Sequence, residues 1–306
     1  MLPKILIITG PTASGKSALA LEVASILPAE IISADSRQVY KLLSVGTAKP
    51  SPEDLRKVPH HLVDFLSPEQ HFSAGDFSAL GRKCALDIQS RHKLPIVVGG
   101  TGLYIRALVD GLFSGPGRQQ EIRDKLETRL ATEGSEKLLG ELRQVDPESA
   151  SRMLPSNQRR IIRALEVYYA TGKSISSHHR EQKSKPLFDP IYVGLDWRRE
   201  ELYRRINARV EAMLTAGFLD EVKGIVSAGY DGSFKSLQTV GYKEALSYLR
   251  GELEYDRMVE LMKQSTRRFA KRQLTWFRGE SRIHWMKMDE ETNLKSIAGK
   301  VVTLLR

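Results

Sequence analysis

Lys4-Ile5-Leu6-Ile7-Ile8-Thr9-Gly10-Pro11-Thr12-Ala13-Ser14-Gly15-Lys16-Ser17 is the stretch on which the fold turns. Six residues of apolar, strand-forming character run into a complete G-x-x-x-x-G-K-[ST] phosphate loop, and Ala18 to Leu27 continue with helical spacing. A strand feeding a glycine turn into a helix aims backbone N–H groups and the positive helix end at one point, which suits a bound di- or triphosphate. Gly10, Pro11, Thr12, Ala13, Ser14, Gly15, Lys16 and Ser17 are therefore the expected diphosphate-binding residues. Lys16 reaches the phosphates in such a loop, and Ser17 offers its hydroxyl to Mg²⁺.

Outward from the loop, strand and helix alternate. Glu30-Ile31-Ile32-Ser33 reads as a buried strand with Asp35-Ser36-Arg37-Gln38 at its carboxyl end, where ligands sit in open α/β sheets. An apolar run, His61 to Phe65, leads to a helix of about Ala74 to Arg91. Pro95 to Gly99 is a further strand, ending in Gly99-Gly100-Thr101-Gly102 with a helix from Leu103. From Gly115-Pro116-Gly117 to about Pro186 the pattern is helical and charged, with the glycines read as a joint. The α/β pattern resumes with a strand at Pro190 to Leu195. Helices follow at about 199–216, 241–249 and 255–277, then a last strand at Ile283-His284-Trp285. The expected architecture is α/β: a P-loop NTPase-like parallel sheet with helices on both faces, formed by 1–112 and 187–306, plus a mainly helical insertion domain at 113–186.

The 306 residues are 41% hydrophobic and carry a formal charge of +10, which points to a polyanionic partner or to solubility. Cys84 is the sole cysteine, so there is neither a disulfide framework nor a cysteine zinc cluster; with Phe77, Leu80 and Ile88 it is expected on a buried helix face. The chain opens into its first strand without a leader and has no apolar run of membrane-spanning length, so a cytoplasmic protein is expected. His60-His61 and His178-His179 lack metal-ligand spacing. Arg198, Arg199, Arg204 and Arg205 could approach a diphosphate or RNA, but ion pairs with Glu200, Glu201 and Glu211 are the expectation, and the four are left outside the site.

Asp35 is the acidic candidate beside the loop, as a general base or as the cap of its own turn. Thr101, on the glycine turn, is a candidate cap for the helix that starts near Leu103. On the last long helix, Arg267, Arg268, Lys271, Arg272 and Arg278 form a basic concentration beside Trp276 and Phe277, which are expected to pack in the core.

Eight segments in order resemble bacterial tRNA dimethylallyltransferases: the loop, Asp35-Ser36-x-Gln38-x-Tyr40, Gly46-Thr47-Ala48-Lys49-Pro50, Pro59-His60-His61-Leu62, Gly99-Gly100-Thr101-Gly102-Leu103-Tyr104, Asn157-x-Arg159-Arg160-x-x-Arg163-Ala164-Leu165-Glu166, Val240-Gly241-Tyr242, and Lys271-Arg272-Gln273-x-Thr275-Trp276. The resemblance covers nearly the whole chain. It implies transfer of a dimethylallyl group from dimethylallyl diphosphate to N6 of the adenine 3′ of the anticodon, with Mg²⁺, Lys16 and the loop stabilising pyrophosphate, Asp35 accepting the proton and Thr101 contacting the adenine. It also implies tRNA contacts from Asp35, Ser36, Arg37 and Gln38; from Arg123; from Arg159, Arg160, Ile161, Ile162 and Arg163; from Gln238, Thr239, Val240, Gly241, Tyr242 and Lys243; and from Lys271, Arg272, Gln273, Leu274, Thr275, Trp276, Phe277 and Arg278. The family's eukaryotic zinc-finger extension has no cysteines here, which favours the bacterial form, and a monomer is the expectation. The motif alone also fits ATP, so a small-molecule kinase is the competing enzyme and a non-catalytic RNA-binding module the third reading.

Overall fold

The computed structural model describes residues 2–112, 115–181 and 186–305. It contains two compact units, Met1–Asp110 with Pro186–Arg306, and Gly111–Lys185.

In the first unit, β1 (Lys4–Thr9), α1 (Lys16–Ile26), β2 (Ala29–Ser33), α2 (Pro52–Lys57), β3 (His60–His61), α3 (Ala74–Ser90), β4 (Leu94–Gly99) and α4 (Gly102–Val109) precede the second unit. That unit is α5 (Gln120–Glu133), α6 (Ser135–Val145), α7 (Pro147–Ala150), α8 (Gln158–Thr171) and α9 (Ile175–Glu181). The first unit resumes with β5 (Asp189–Trp197), α10 (Arg199–Thr215), α11 (Phe218–Ser227), α12 (Tyr242–Leu249), α13 (Tyr255–Arg278), β6 (Ile283–Met288) and α14 (Leu294–Leu304).

Six strands form one parallel sheet in the order β3-β2-β4-β1-β5-β6. The sheet is covered on both faces, as the α/β pattern predicts, and β1 shows why. Its Leu6 and Ile8 join the core built with α1, α10 and α14, while Ile5 and Ile7 join the opposite core with α3 and α4. Alternate residues of a strand face opposite sides, so a strand buried twice must be apolar throughout. A third cluster gathers Phe218 and Val222 of α11, Tyr242 of α12, and Met258 and Met262 of α13 around Val39 and Leu43. The second unit has its own core, including Leu126, Leu138, Leu142, Ile161 and Leu165.

Three local expectations change. At the sheet edge only His60 and His61 pair with β2, because Leu62 and Asp64 take left-handed φ of 61° and 60° and turn the following run away. Leu80 is 39% exposed rather than sharing the buried face of Phe77 and Ile88; Cys84 is half-buried, and burial raises its thiol pKa. Pro116 and Gly117 lie within the helical unit, where their carbonyls accept hydrogen bonds from Arg163 at 2.8 and 3.4 Å. Helices α2, α11 and α14 are additions to the predicted set.

Candidate active site

The loop leaves β1 through Gly10 and enters α1 through Gly15, at φ of 141° and 96°, values in the left-handed region that favours glycine. Three of its carbonyls are held by side chains. Lys16 Nζ donates to Pro11 O at 2.5 Å, Arg205 Nε to Ala13 O at 2.9 Å, and Trp197 Nε1 to Ser14 O at 2.9 Å. Fixing the carbonyls in this way orients the peptide planes and sets out N–H groups for an anion. Ser14 is 1% exposed and its buried hydroxyl has no hydrogen-bond partner among the described residues, which suits it to a ligand oxygen.

Lys16 lies in a cationic setting. Burial, and secondarily the Arg209 guanidinium, lower its pKa to about 7 against the opposing pull of Asp35. The free protein thus sheds the Lys16 proton as pH rises through about 7, whereas a bound diphosphate favours the ammonium. Diphosphate binding near pH 8 should therefore take up a proton at Lys16. Calorimetry in buffers of different ionisation enthalpy would detect it, and Lys16→Met should abolish it; equal uptake by both proteins would refute the assignment.

Asp35 follows the carboxyl end of β2. Its Oδ1 accepts from Arg37 N at 2.8 Å and Gln38 N at 3.4 Å, so the capping role is present. The residue also lines two cavities. One, of about 230 Å³, holds the loop residues Thr12, Ala13, Gly15, Lys16 and Ser17. The other, of about 320 Å³, includes Ser36, Arg37, Thr101, Met213 and the 238–243 segment. Thr12, Asp35, Thr47, Arg209 and Phe269 border both, so the cavities abut.

Thr101 precedes α4, but its side chain makes no helix cap; its Oγ1 instead accepts from Ser36 N at 3.1 Å, tying the ends of β2 and β4 together. That approach depends on Gly99, where a Cβ would stand 2.1 Å from Ala34 O. At Gly100 the space is taken by Gln273, whose amide bridges Thr12 N at 2.8 Å and Gly100 O at 3.0 Å.

The remaining candidates divide by burial. Gln238 and Lys243 are exposed and line the larger cavity, with Thr239 and Val240 half-buried beside them. Gly241 and Tyr242 are buried; the Tyr242 side chain packs edge-on against Phe218 and shapes the wall from within. Gln38 reaches back with its amide to Thr47 O and Ala48 O at 3.2 and 2.9 Å. On α13, Lys271, Arg272, Thr275 and Arg278 are exposed, Gln273 and Phe277 are buried and Leu274 is half-buried. Phe277 lies in the core as expected, but Trp276 is 41% exposed, a correction to its predicted core role. In the helical unit Arg159 and Arg160 are exposed. Ile161 and Ile162 are buried in that unit's core, so their side chains offer no surface to RNA. Arg123 and Arg163 both grip the fully buried Glu166, at 2.7 and 3.0 Å. Burial works against ionising Glu166, yet these hydrogen bonds and one from Gln119 N hold its carboxyl below the usual range.

Arg209 and Phe269, which line both cavities, and Arg205 and Trp197, which hold the loop, are the residues that sequence reasoning left out. The arginine signal is legible on α10: Leu202, Ile206 and Val210 form its buried stripe, and Arg205 and Arg209 lie four apart along the flank of that stripe. The ion pairs expected within α10 are replaced by Arg204 with Glu290 at 3.0 Å, by Lys263 with Glu211, and by Arg205 stacked on Trp197.

A phosphate loop opening onto a second cavity, with a carboxylate at their common border, marks an α/β protein of the phosphate-loop class. A family model for IPP transferase matches residues 38–280. The chain is 48% identical over 293 residues to tRNA dimethylallyltransferase 1 of Trichlorobacter lovleyi, covering 95% of this chain and 96% of that relative. It is 45% identical over 285 residues to the tRNA dimethylallyltransferase of Geobacter sulfurreducens, covering 93% and 92%. Among solved structures, a eukaryotic dimethylallyltransferase acting on tRNA superposes with a TM-score of 0.85 at 29% identity, covering 98% of this chain and 77% of the other. The full-length tRNA isopentenylpyrophosphate transferase of Bacillus halodurans gives 0.73 at 36%, covering 99% and 96%. The chain belongs to the IPP transferase family.

Proposed function

We propose that the protein transfers a dimethylallyl group from dimethylallyl diphosphate to N6 of the adenine at position 37, immediately 3′ of the anticodon of tRNA, giving N6-isopentenyladenosine and pyrophosphate. The observation that carries this reading is the border shared by the two cavities, with Asp35 on it. The smaller cavity takes the diphosphate. The larger takes an adenine extruded from the anticodon loop, whose unstacking costs a few kcal/mol that pocket contacts offset. The N6 lone pair attacks C1 of the donor, the C1–O bond breaks with its electron pair leaving on pyrophosphate, and Asp35 accepts the N6 proton. Lys16, Arg209 and the loop amides stabilise the departing charge. Thr101, held to Ser36, presents its hydroxyl at the adenine.

The cradle suits a hard cation. Ser17 is exposed at the first turn of α1 and lines the diphosphate cavity, so its hydroxyl with diphosphate oxygens forms an all-oxygen set suited to Mg²⁺. Bound there, Mg²⁺ would supply further neutralisation of the leaving group.

The exposed Lys271, Arg272 and Arg278, with Arg159 and Arg160, fit the anticodon stem-loop backbone. With about six phosphates neutralised, tRNA affinity should fall about 10³-fold between 50 and 200 mM salt. Filter binding across that range checks this, and a flat dependence contradicts it. Among the described residues no helix is long and apolar enough to cross a membrane, and a monomer working in the cytoplasm is our reading. Family membership supports prenyl transfer over the kinase alternative. The test is incubation with unmodified tRNA, Mg²⁺ and radiolabelled dimethylallyl diphosphate, followed by nucleoside analysis. Label in N6-isopentenyladenosine is expected; ATP-dependent phosphorylation of a small molecule, with RNA unlabelled, would overturn the reading.

A further inference from the structure

The segment 44–48 forms part of the partition between the two cavities: Gly46 and Thr47 face the larger, Thr47 and Ala48 the smaller. Its backbone is held from behind by one carboxylate on α11. Glu221 Oε2 accepts from Ser44 N at 2.8 Å and Val45 N at 2.6 Å, and its Oε1 accepts from Gly46 N at 3.2 Å and from the Tyr242 hydroxyl at 2.6 Å. Three successive amides and a buried phenol thus converge on a single side chain, a charge-assisted arrangement stronger than neutral hydrogen bonds. The Tyr242 proton is correspondingly hard to remove, through burial first and the Glu221 charge second.

The wall fits closely. At Gly46 an added Cβ would lie 2.5 Å from both the Phe218 and Tyr242 rings. On the far side, Thr47 O and Ala48 O receive the Gln38 amide, Gln38 Oε1 accepts from Ser33 Oγ at 2.8 Å, and Gln38 N caps onto Asp35. Two sets of hydrogen bonds, joined by the covalent backbone of 46–48, therefore connect Glu221 to Gln38, and the Gln38 N–H continues to the Asp35 carboxylate at 3.4 Å.

We infer that Glu221 is a positioning residue for the transfer reaction: it sets where the partition stands, and through Gln38 the placement of Asp35 against the acceptor amine. The inference rests on the reading of the larger cavity as the acceptor site. It assigns Glu221 no contact with either substrate. Displacing a reacting geometry by about 1 Å costs on the order of 10²-fold in rate, so loss of this anchor should appear in turnover more than in binding.

Glu221→Gln replaces an acceptor-only group by one whose NH₂ faces backbone donors. In the full-length protein at a temperature where circular dichroism shows it folded, kcat for tRNA prenylation should fall by about 10²-fold, while the Kd for dimethylallyl diphosphate, measured without RNA, stays near wild type. Tyr242→Phe, which keeps the three amide bonds and removes only the fourth, should give a smaller fall in kcat with the same donor Kd, and it serves as the folded variant should Glu221→Gln not fold. A folded Glu221→Gln with wild-type kcat overturns the inference, as does a Tyr242→Phe enzyme unchanged in kcat. A purely structural anchor would lower thermal stability and leave kcat of the folded enzyme intact. Failure of the wild-type protein to prenylate tRNA would instead remove the underlying reading, so the two failures are distinguishable.

Discussion

Asp35→Asn should slow single-turnover transfer by about 10²–10⁴-fold, the range a general base contributes. The substitution isolates proton acceptance from architecture. The Asp35 oxygen that takes Arg37 N and Gln38 N is retained as an amide carbonyl, so the turn survives and tRNA affinity should stay near wild type. Changing Asp35 to Ala would remove that cap as well and confound the two roles. Rapid-quench kinetics with enzyme in excess over RNA, together with equilibrium binding, separates them. A folded Asp35→Asn enzyme transferring at the wild-type rate would leave the carboxylate with capping alone, and a variant losing RNA binding in parallel would point to recognition in place of proton transfer.

Lys16→Met should cost about 10²–10³-fold in kcat/KM, the size of effect that follows loss of one donor aimed at developing negative charge. Methionine matches much of the length of the lysine chain, so the change removes chiefly the ammonium. In the unliganded loop the Lys16 amino group donates to Pro11 O, and diphosphate must draw it away. Part of the loss should then fall on donor affinity and the larger part on the transition state, where the pyrophosphate oxygens carry most charge. Arg209, facing the same cavity, softens the loss without replacing the directed hydrogen bond. Single-turnover rates at saturating donor measure the transition-state share. A rate within a few-fold of wild type would mean that Lys16 is a structural brace of its own loop.

What could be read from the chain depended on how local the cause was. The run Lys4 to Ser17 specifies strand, turn and helix through neighbouring residues alone, and β1 and α1 fall where the pattern puts them. Helix α11 escaped because its N-cap is Gly217, with no side-chain cap to mark the boundary just after α10. Trp276 was misplaced for a geometric reason. Met258, Met262, Ala270, Gln273 and Phe277 make the buried stripe of α13, and one residue's rotation of 100° turns Trp276 off the face that Phe277 occupies. Giving adjacent aromatics the same role ignored that rotation.

The site itself was half legible. Lys16, Asp35 and Thr101 belong to short motifs, and all three line the paired cavities. Arg209, Phe269 and Glu221 act across long sequence separations, from helices that no motif ties to the loop. The same holds within the helical unit. There Arg123 and Arg163 carry the charge expected of RNA contacts, yet their placement depends on Glu166, a buried acid whose role is set by tertiary packing.

Transfer requires the diphosphate cradle and the acceptor cavity to meet at Asp35. A crystal structure of the protein with an anticodon stem-loop and a non-reactive thiolodiphosphate donor analogue tests this most directly, through the distance from the adenine N6 to the Asp35 carboxylate. The prediction is an extruded adenine with N6 about 2.6–3.2 Å from that carboxylate, or joined to it by one water, and the donor's phosphates on the loop. An adenine still stacked in the RNA, or one seated in the cavity with Asp35 turned away beyond such reach, would contradict it.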